Sequence, residues 1–366
     1  MLGDDDEYAA WFRLLETPGI GRDAARRLLA ACGSPAAVFA TRPATLRELV
    51  GGAAAEALQH EPAGFAPRLA AARQWLQGGP ERSVLALGDA AYPPRLLQTA
   101  DPPLLLYVQG RVALLAQPAV AIVGSRHPTA QGVDNARAFG RALGELGYVV
   151  VSGLALGIDG AAHEGALDAP AGTMAVVGTG PDRVYPAKHR DLARRIAEQG
   201  VLISEYAPGM PALAENFPQR NRIIAGLSLG TLVVEAALPS GSLITARLAS
   251  EACREVYAIP GSIHSPQSKG CHWLIKQGAK LVESAQDIVE ELRAQQQPAQ
   301  ASMPLADTAP ADPLLDALGN DPVTLDALMA RTGASAAELT VRLLELELDG
   351  SVARLPGGLY QQRHAG

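Results

Sequence analysis

The chain is short of aromatic residues (4%), of lysine (four in 366 residues) and of cysteine (three). Each shortage narrows the reading. Cys32, Cys253 and Cys271 are odd in number and none forms a C-x-x-C pair, so neither a disulfide framework nor a zinc ribbon is suggested. His272 follows Cys271, but a tetrahedral metal site needs further ligands at loop spacing, and none stands nearby; no metal is expected. No apolar run is long enough to span a bilayer, and Met1-Leu2-Gly3-Asp4-Asp5-Asp6-Glu7 is acidic where a secretory signal is basic. The expectation is a cytoplasmic protein with no membrane partner. Nucleotide signatures are also missing. There is no G-x-x-x-x-G-K-[ST], and the loop after Val123 lacks G-x-G-x-x-G.

What is present is an ordinary globular composition, 48% apolar, in a chain long enough for two or three domains. The net charge of −7 argues against a general nucleic-acid coat. Its distribution leaves room for a local basic groove. From residue 298 onward there are four Arg against nine Asp and Glu, whereas 118–290 is nearly neutral and holds all four lysines.

Three zones separate. Residues 1–80 read as a helical module. Within it, Thr17-Pro18-Gly19-Ile20-Gly21-Arg22 joins two helical patterns, like a helix-hairpin-helix, whose glycine turn can present amides to a DNA phosphate; the competing reading is a corner that only packs. Residues 83–292 alternate helical patterns with eight short apolar runs, at 84–87, 104–108, 119–123, 148–151, 174–177, 201–203, 232–234 and 256–259. Continuous apolar strands between helices mean a sheet covered on both faces. The fold class is α/β, an extended Rossmann-like, doubly wound, mostly parallel sheet. Residues 293–312 are rich in Gln, Ala and Pro and read as a linker. Residues 313–363 read as a winged-helix-like module, three helices and a Pro-Gly-Gly hairpin. Its candidate recognition helix carries Glu338, Glu345, Glu347 and Asp349 against Arg342, which disfavours DNA reading and favours a protein-contacting or structural role.

Ligands on such sheets sit beyond the C-terminal strand ends. After Val123 comes Gly124-Ser125-Arg126, after Val151 comes Ser152-Gly153, after Val177 comes Gly178-Thr179-Gly180, then Tyr185-Pro186-Ala187-Lys188-His189. The densest segment is Asn216-Phe217-Pro218-Gln219-Arg220-Asn221-Arg222, followed by a strand and then Pro239-Ser240-Gly241-Ser242-Leu243-Ile244-Thr245. Guanidinium groups beside a hydroxyl-rich helix start make an anion site. Phe217, Tyr185 and Tyr206 are the candidate stacking surfaces. Asp159 and His163 are spaced like an acid/base pair but read as a helix cap and a loop support. Glu205 and Glu235 end strands; each reads either as catalytic or as the partner of a neighbouring arginine.

These segments resemble the DNA-processing protein family DprA, also called Smf. The resemblance is carried by Val120 to Arg126, by Ser152 to Asp159 with His163-Glu164-Gly165, by Phe217 to Ser228, by Ser240 to Ala246, and by Ala258-Ile259-Pro260-Gly261-Ser262. It covers about 84–290 and implies a homodimeric protein without cofactor or catalytic residues. Such a protein binds single-stranded DNA, protects it during natural transformation and loads the RecA recombinase. The resemblance puts Gly124, Ser125 and Arg126 in a phosphate pocket, with Lys188, Arg220, Asn221 and Arg222 along the same groove. Where many relatives have Asn after Tyr-Pro-x-x, this chain has His189. The alternative, from another class, is a Rossmann-like enzyme cleaving a small nucleotide, with Glu235 as its best-placed acid.

Overall fold

The computed structural model describes residues 5–296, 312–319, 322–355 and 358–362. All eight apolar runs form strands: β1 (Arg82–Ala86), β2 (Leu105–Gly110), β3 (Ala119–Val123), β4 (Val149–Ser152), β5 (Thr173–Val177), β6 (Val201–Ser204), β7 (Gly230–Val233) and β8 (Glu255–Ala258). A ninth, β9 (Lys280–Leu281), has exposed side chains and therefore no apolar run to read. The sheet order is β1-β2-β6-β5-β4-β3-β7-β8-β9. Pairing is parallel from β6 to β9, and β1 and β2 add an antiparallel edge.

Six helices precede the sheet: α1 (Asp5–Glu16), α2 (Arg22–Cys32), α3 (Pro35–Ala40), α4 (Pro43–Val50), α5 (Gly52–Gln59) and α6 (Phe65–Gln77). Between and after the strands come α7 (Pro94–Leu97), α8 (Ala130–Glu145), α9 (Ile158–Leu167), α10 (Arg190–Gln199), α11 (Asn216–Leu227), α12 (Gly241–Glu251), α13 (Lys269–Lys276) and α14 (Ala285–Gln296).

Alternation along β3 shows why the sheet is doubly wound. Ala121 and Val123 face a cluster with Ile223 and Leu227 of α11, Ala246 of α12 and Leu274 of α13. Val120 and Ile122 face the other side, with Phe139 of α8, Ile158 of α9 and Ile288 of α14. Successive strand side chains point to opposite faces, so a strand apolar at every position needs helices on both.

The helical segment shares a third cluster with the sheet edge, in which Phe12, Leu28 and Trp75 pack on Val84, Leu105 and Tyr107. With the sheet it forms one unit, Met1–Ala294. The Gly19–Gly21 turn leads into α2, whose Arg22 and Arg26 turn inward to ion-pair with Asp101.

The second unit, Gln295–Gly366, holds α15 (Pro313–Leu318), β10 (Val323–Thr324), α16 (Leu325–Thr332), α17 (Ala336–Leu348), β11 (Val352–Leu355) and β12 (Leu359–Gln362). The strands pair in the order β10-β12-β11. Leu314, Leu328, Leu339, Leu343 and Tyr360 make its core. A capping box between Ser335 and Glu338 starts α17. Of the linker read at 293–312, the first four residues continue α14 and Asp312 caps α15. Residues 297–311 lie outside the described residues.

Candidate nucleic-acid interface

The chain leaves β3 toward β4 on one side, and β7 sits on the other. Between the C-terminal ends of β3 and β7 lies the crevice where a doubly wound sheet takes its ligand. A cleft of about 410 Å³ opens there. Ten of the twelve residues expected at the site line it: Gly124, Ser125 and Arg126 after β3; Phe217, Arg220 and Asn221 on α11; Ser240, Gly241, Ser242 and Thr245 at the start of α12.

The β3 loop is tied down on all sides except at Arg126. Ser125 N–H donates to the Glu235 carbonyl at 2.7 Å, and Ser125 Oγ accepts from His127 N–H at 3.1 Å. Gly124 lies so close to α9 that a Cβ there would collide with Ile158. Arg126 is exposed and makes no ion pair among the described residues.

Arg220 differs. It is 4% exposed, and its guanidinium donates to the carbonyls of Gly153 and Val176 and, through Nε, to Asn221 Oδ1 at 3.0 Å. A Cβ at Gly153 would collide with that guanidinium, which is why the loop after β4 needs glycine. Burial lowers the Arg220 pKa to about 10, against the pull of nearby Asp159. Burial likewise raises the Asp159 pKa, opposed by Arg220. The two offset each other beneath the cleft and leave Arg126 as its uncompensated charge.

Asp159 is not the cap of α9. Its carboxylate accepts from Gly153 N–H at 3.1 Å and Ala155 N–H at 3.3 Å, clamping the loop upstream. Between those amides Leu154 has φ 57°, an unfavourable value for a branched side chain. His189 locks the same residue, with Nδ1 3.0 Å from the Leu154 carbonyl. His163 does not pair with Asp159; its Nδ1 lies 2.7 Å from Thr173 Oγ1, and burial lowers its pKa to about 3.

Across the cleft, Ser240 caps α12 by accepting from Ser242 N–H at 3.3 Å, and the two hydroxyls lie 2.7 Å apart. Amides at this helix start carry partial positive charge toward the same space. On the rim, the Tyr185 and Phe217 rings lie 5.3 Å apart, and the Arg126 guanidinium sits 6.0 Å from the Phe217 centroid. Tyr185 is 52% exposed. A smaller hollow joins Arg126, Phe217, Tyr185 and Pro186 to the main cleft. Cation, ring and ring thus run outward in series.

Four further residues lie elsewhere than the sequence reading expects. Arg222 does not face the cleft. It lies about 200° around α11 from Arg220 at 3.6 residues per turn, and it ion-pairs with Asp101 and Glu205, where Arg22 also reaches both acids. Lys188 is exposed on the turn Ala187–His189 and does not line the cleft. Tyr206 faces the helical segment beside Phe12 and Leu15, its hydroxyl donating to the Asn216 carbonyl at 3.4 Å. Glu235 pairs with no arginine among the described residues; it accepts from Thr129 N–H at 2.9 Å and from the Thr129 hydroxyl, where α8 begins. Glu205 does stabilise arginines. Sequence reading missed Asp159 as the loop clamp. Its signal was the glycine-rich loop before it, whose free amides need an acceptor.

No described helix is long and apolar enough to cross a membrane. Among the described residues no group of three His, Cys, Asp or Glu is placed to hold a metal.

Comparison with known proteins places the chain in a family. Residues 83–293 match the family model for DNA recombination-mediator protein A, and 296–358 match the DprA winged helix domain. Protein Smf of Escherichia coli is 42% identical over 304 residues, 80% of each chain. DNA processing protein DprA of Streptococcus pneumoniae is 48% identical over 203 residues, 56% of this chain and 72% of that one. The crystal structure of the pneumococcal DprA superposes with a TM-score of 0.67 at 36% identity, covering 80% of this chain and 99% of that one. A DNA processing protein A structure from Helicobacter pylori, described for its single-stranded DNA binding mode, gives 0.52 at 31% identity, with 58% and 97% covered. The chain belongs to the DprA/Smf family of DNA-processing proteins.

Proposed function

We propose that the cleft between β3 and β7 holds the backbone of single-stranded DNA, and that the chain protects the strand and hands it to RecA during natural transformation. It does so as a cytoplasmic homodimer and makes no covalent change to the strand. One observation carries the reading. Arg126, the uncompensated cation of the cleft, stands between the start of α12 and the Phe217–Tyr185 ring pair. Phosphate is held by a guanidinium and helix amides, and bases stack on rings without regard to sequence. The Helicobacter pylori relative, described for binding single-stranded DNA, supports the same assignment. The enzyme reading has less support, because the Glu235 carboxylate is engaged with Thr129 where α8 begins.

Labelled dT oligomers of increasing length, titrated beside AMP, test the proposal. The expected result is oligomer binding that tightens with length, weakens with salt and leaves the strand intact. Tight AMP binding with turnover would replace it with the enzyme. For the handover, RecA filament growth on the bound oligomer is expected to be faster than without the protein.

A further inference from the structure

The recognition-helix position of the C-terminal module carries an apolar seam that the module's own core does not cover. On α17, Leu339, Leu343 and Leu346 turn into that core. Ala337, Val341, Leu344 and Leu348 follow one another at steps of four, three and four residues and stay exposed. Val341 is 62%, Leu344 56% and Leu348 81% exposed. Alternating steps of four and three line one helix face against a partner helix. Three large apolar side chains on successive turns are more than the scattered exposure of an ordinary surface.

The border of the seam says what covers it. Glu338 and Glu345 flank it on one side and Glu347 on the other, with Asp349 beyond its end. Arg342, the cation of this helix, is taken up by Asp312 at 2.9 Å and by Glu345. Glu347 makes no ion pair among the described residues. Such a border repels a phosphate backbone. It also opposes a second copy of this chain, because two identical seams bring carboxylates onto carboxylates in either orientation.

We propose that α17 docks an amphipathic helix of another protein, whose apolar seam is bordered by lysine or arginine. Helix-on-helix burial supplies affinity and the charged borders supply partner choice.

The test uses the full chain and a labelled three-heptad peptide with Leu at the seam positions and Lys at the borders, read by anisotropy at physiological salt. The peptide is expected to bind, and a version with Glu at the borders to bind at least about tenfold more weakly. Leu344→Asp with Leu348→Asp, both at exposed positions, is expected to lower affinity more than about tenfold. This variant is more acidic, so capture by charge alone would strengthen instead. Glu345→Lys with Glu347→Lys should shift preference toward the Glu-bordered peptide, and Arg126→Ala should change nothing. Undiminished binding by the double Asp variant, equal binding of the two peptides, or displacement of the peptide by a dT oligomer would overturn the proposal. So would sedimentation showing that Leu348→Asp dissociates an oligomer of this chain, which would place a second copy on the seam.

Discussion

Arg220 and Arg222 stand two residues apart on α11 and face opposite ways. Arg220 lies under the cleft, buried on two carbonyls beside Asp159. Arg222 lies on the back of the helix between Asp101 and Glu205, tying α11 to the helical segment through Arg22 and Arg26. Neither is free to move onto a ligand. The exposed charge without an ion pair among the described residues is Arg126, on the neighbouring loop. The helix thus works as a rigid wall: one face is pinned from behind, and the other presents Phe217 and Asn221.

This division predicts that the two faces fail differently. The largest effect is expected on stability from the back. Arg222→Ala leaves Glu205 and Asp101 facing less positive charge at a site where the Arg222 and Glu205 side chains are 13% and 11% exposed. The expected loss is about 3 kcal/mol, read as a lower urea midpoint. Affinity for a dT oligomer, measured while the variant is folded, should stay within about twofold. A large loss of affinity at unchanged stability would move Arg222 into the binding face.

On the rim the expectation is reversed. Tyr185→Ala should leave the melting temperature in place and weaken oligomer binding about fivefold, the loss of one stacking surface of ~1 kcal/mol. An unchanged affinity would mean that bases do not reach the outer ring. Lys188, beyond the cleft, is the smallest case. Lys188→Ala should cost about twofold and remove less than one phosphate's worth of salt dependence. A tenfold loss there would extend the groove along the Tyr185–His189 turn.

The sheet was legible because burial on both faces leaves continuous apolar runs. It failed at β9, where Lys280 and Leu281 are exposed at the edge and pairing is mostly backbone. The cleft was legible because glycine, hydroxyl and arginine recur where strands end. Arg222 was misplaced because the resemblance carried Arg220, Asn221 and Arg222 over as one run along the groove. On a helix, adjacent residues diverge by about 100°, and the face of Arg220 continues to Phe217 and Ile224. Asp101, the acid that claims Arg222, lies over a hundred positions away, and no local pattern announces such a pairing. The same holds for Asp159: its spacing from Gly153 and Ala155 was visible, but the left-handed turn at Leu154 that brings both amides onto it was not.

The most direct measurement is the salt dependence of dT-oligomer affinity for the protein and for Arg126→Ala. A guanidinium free in the cleft and closed on a phosphate contributes roughly 1.5–3 kcal/mol. The variant should therefore bind more than about tenfold more weakly at moderate salt, with a log–log slope shallower by about 0.7. Parallel slopes and equal affinities would show that the strand runs elsewhere and would contradict the assignment of this cleft.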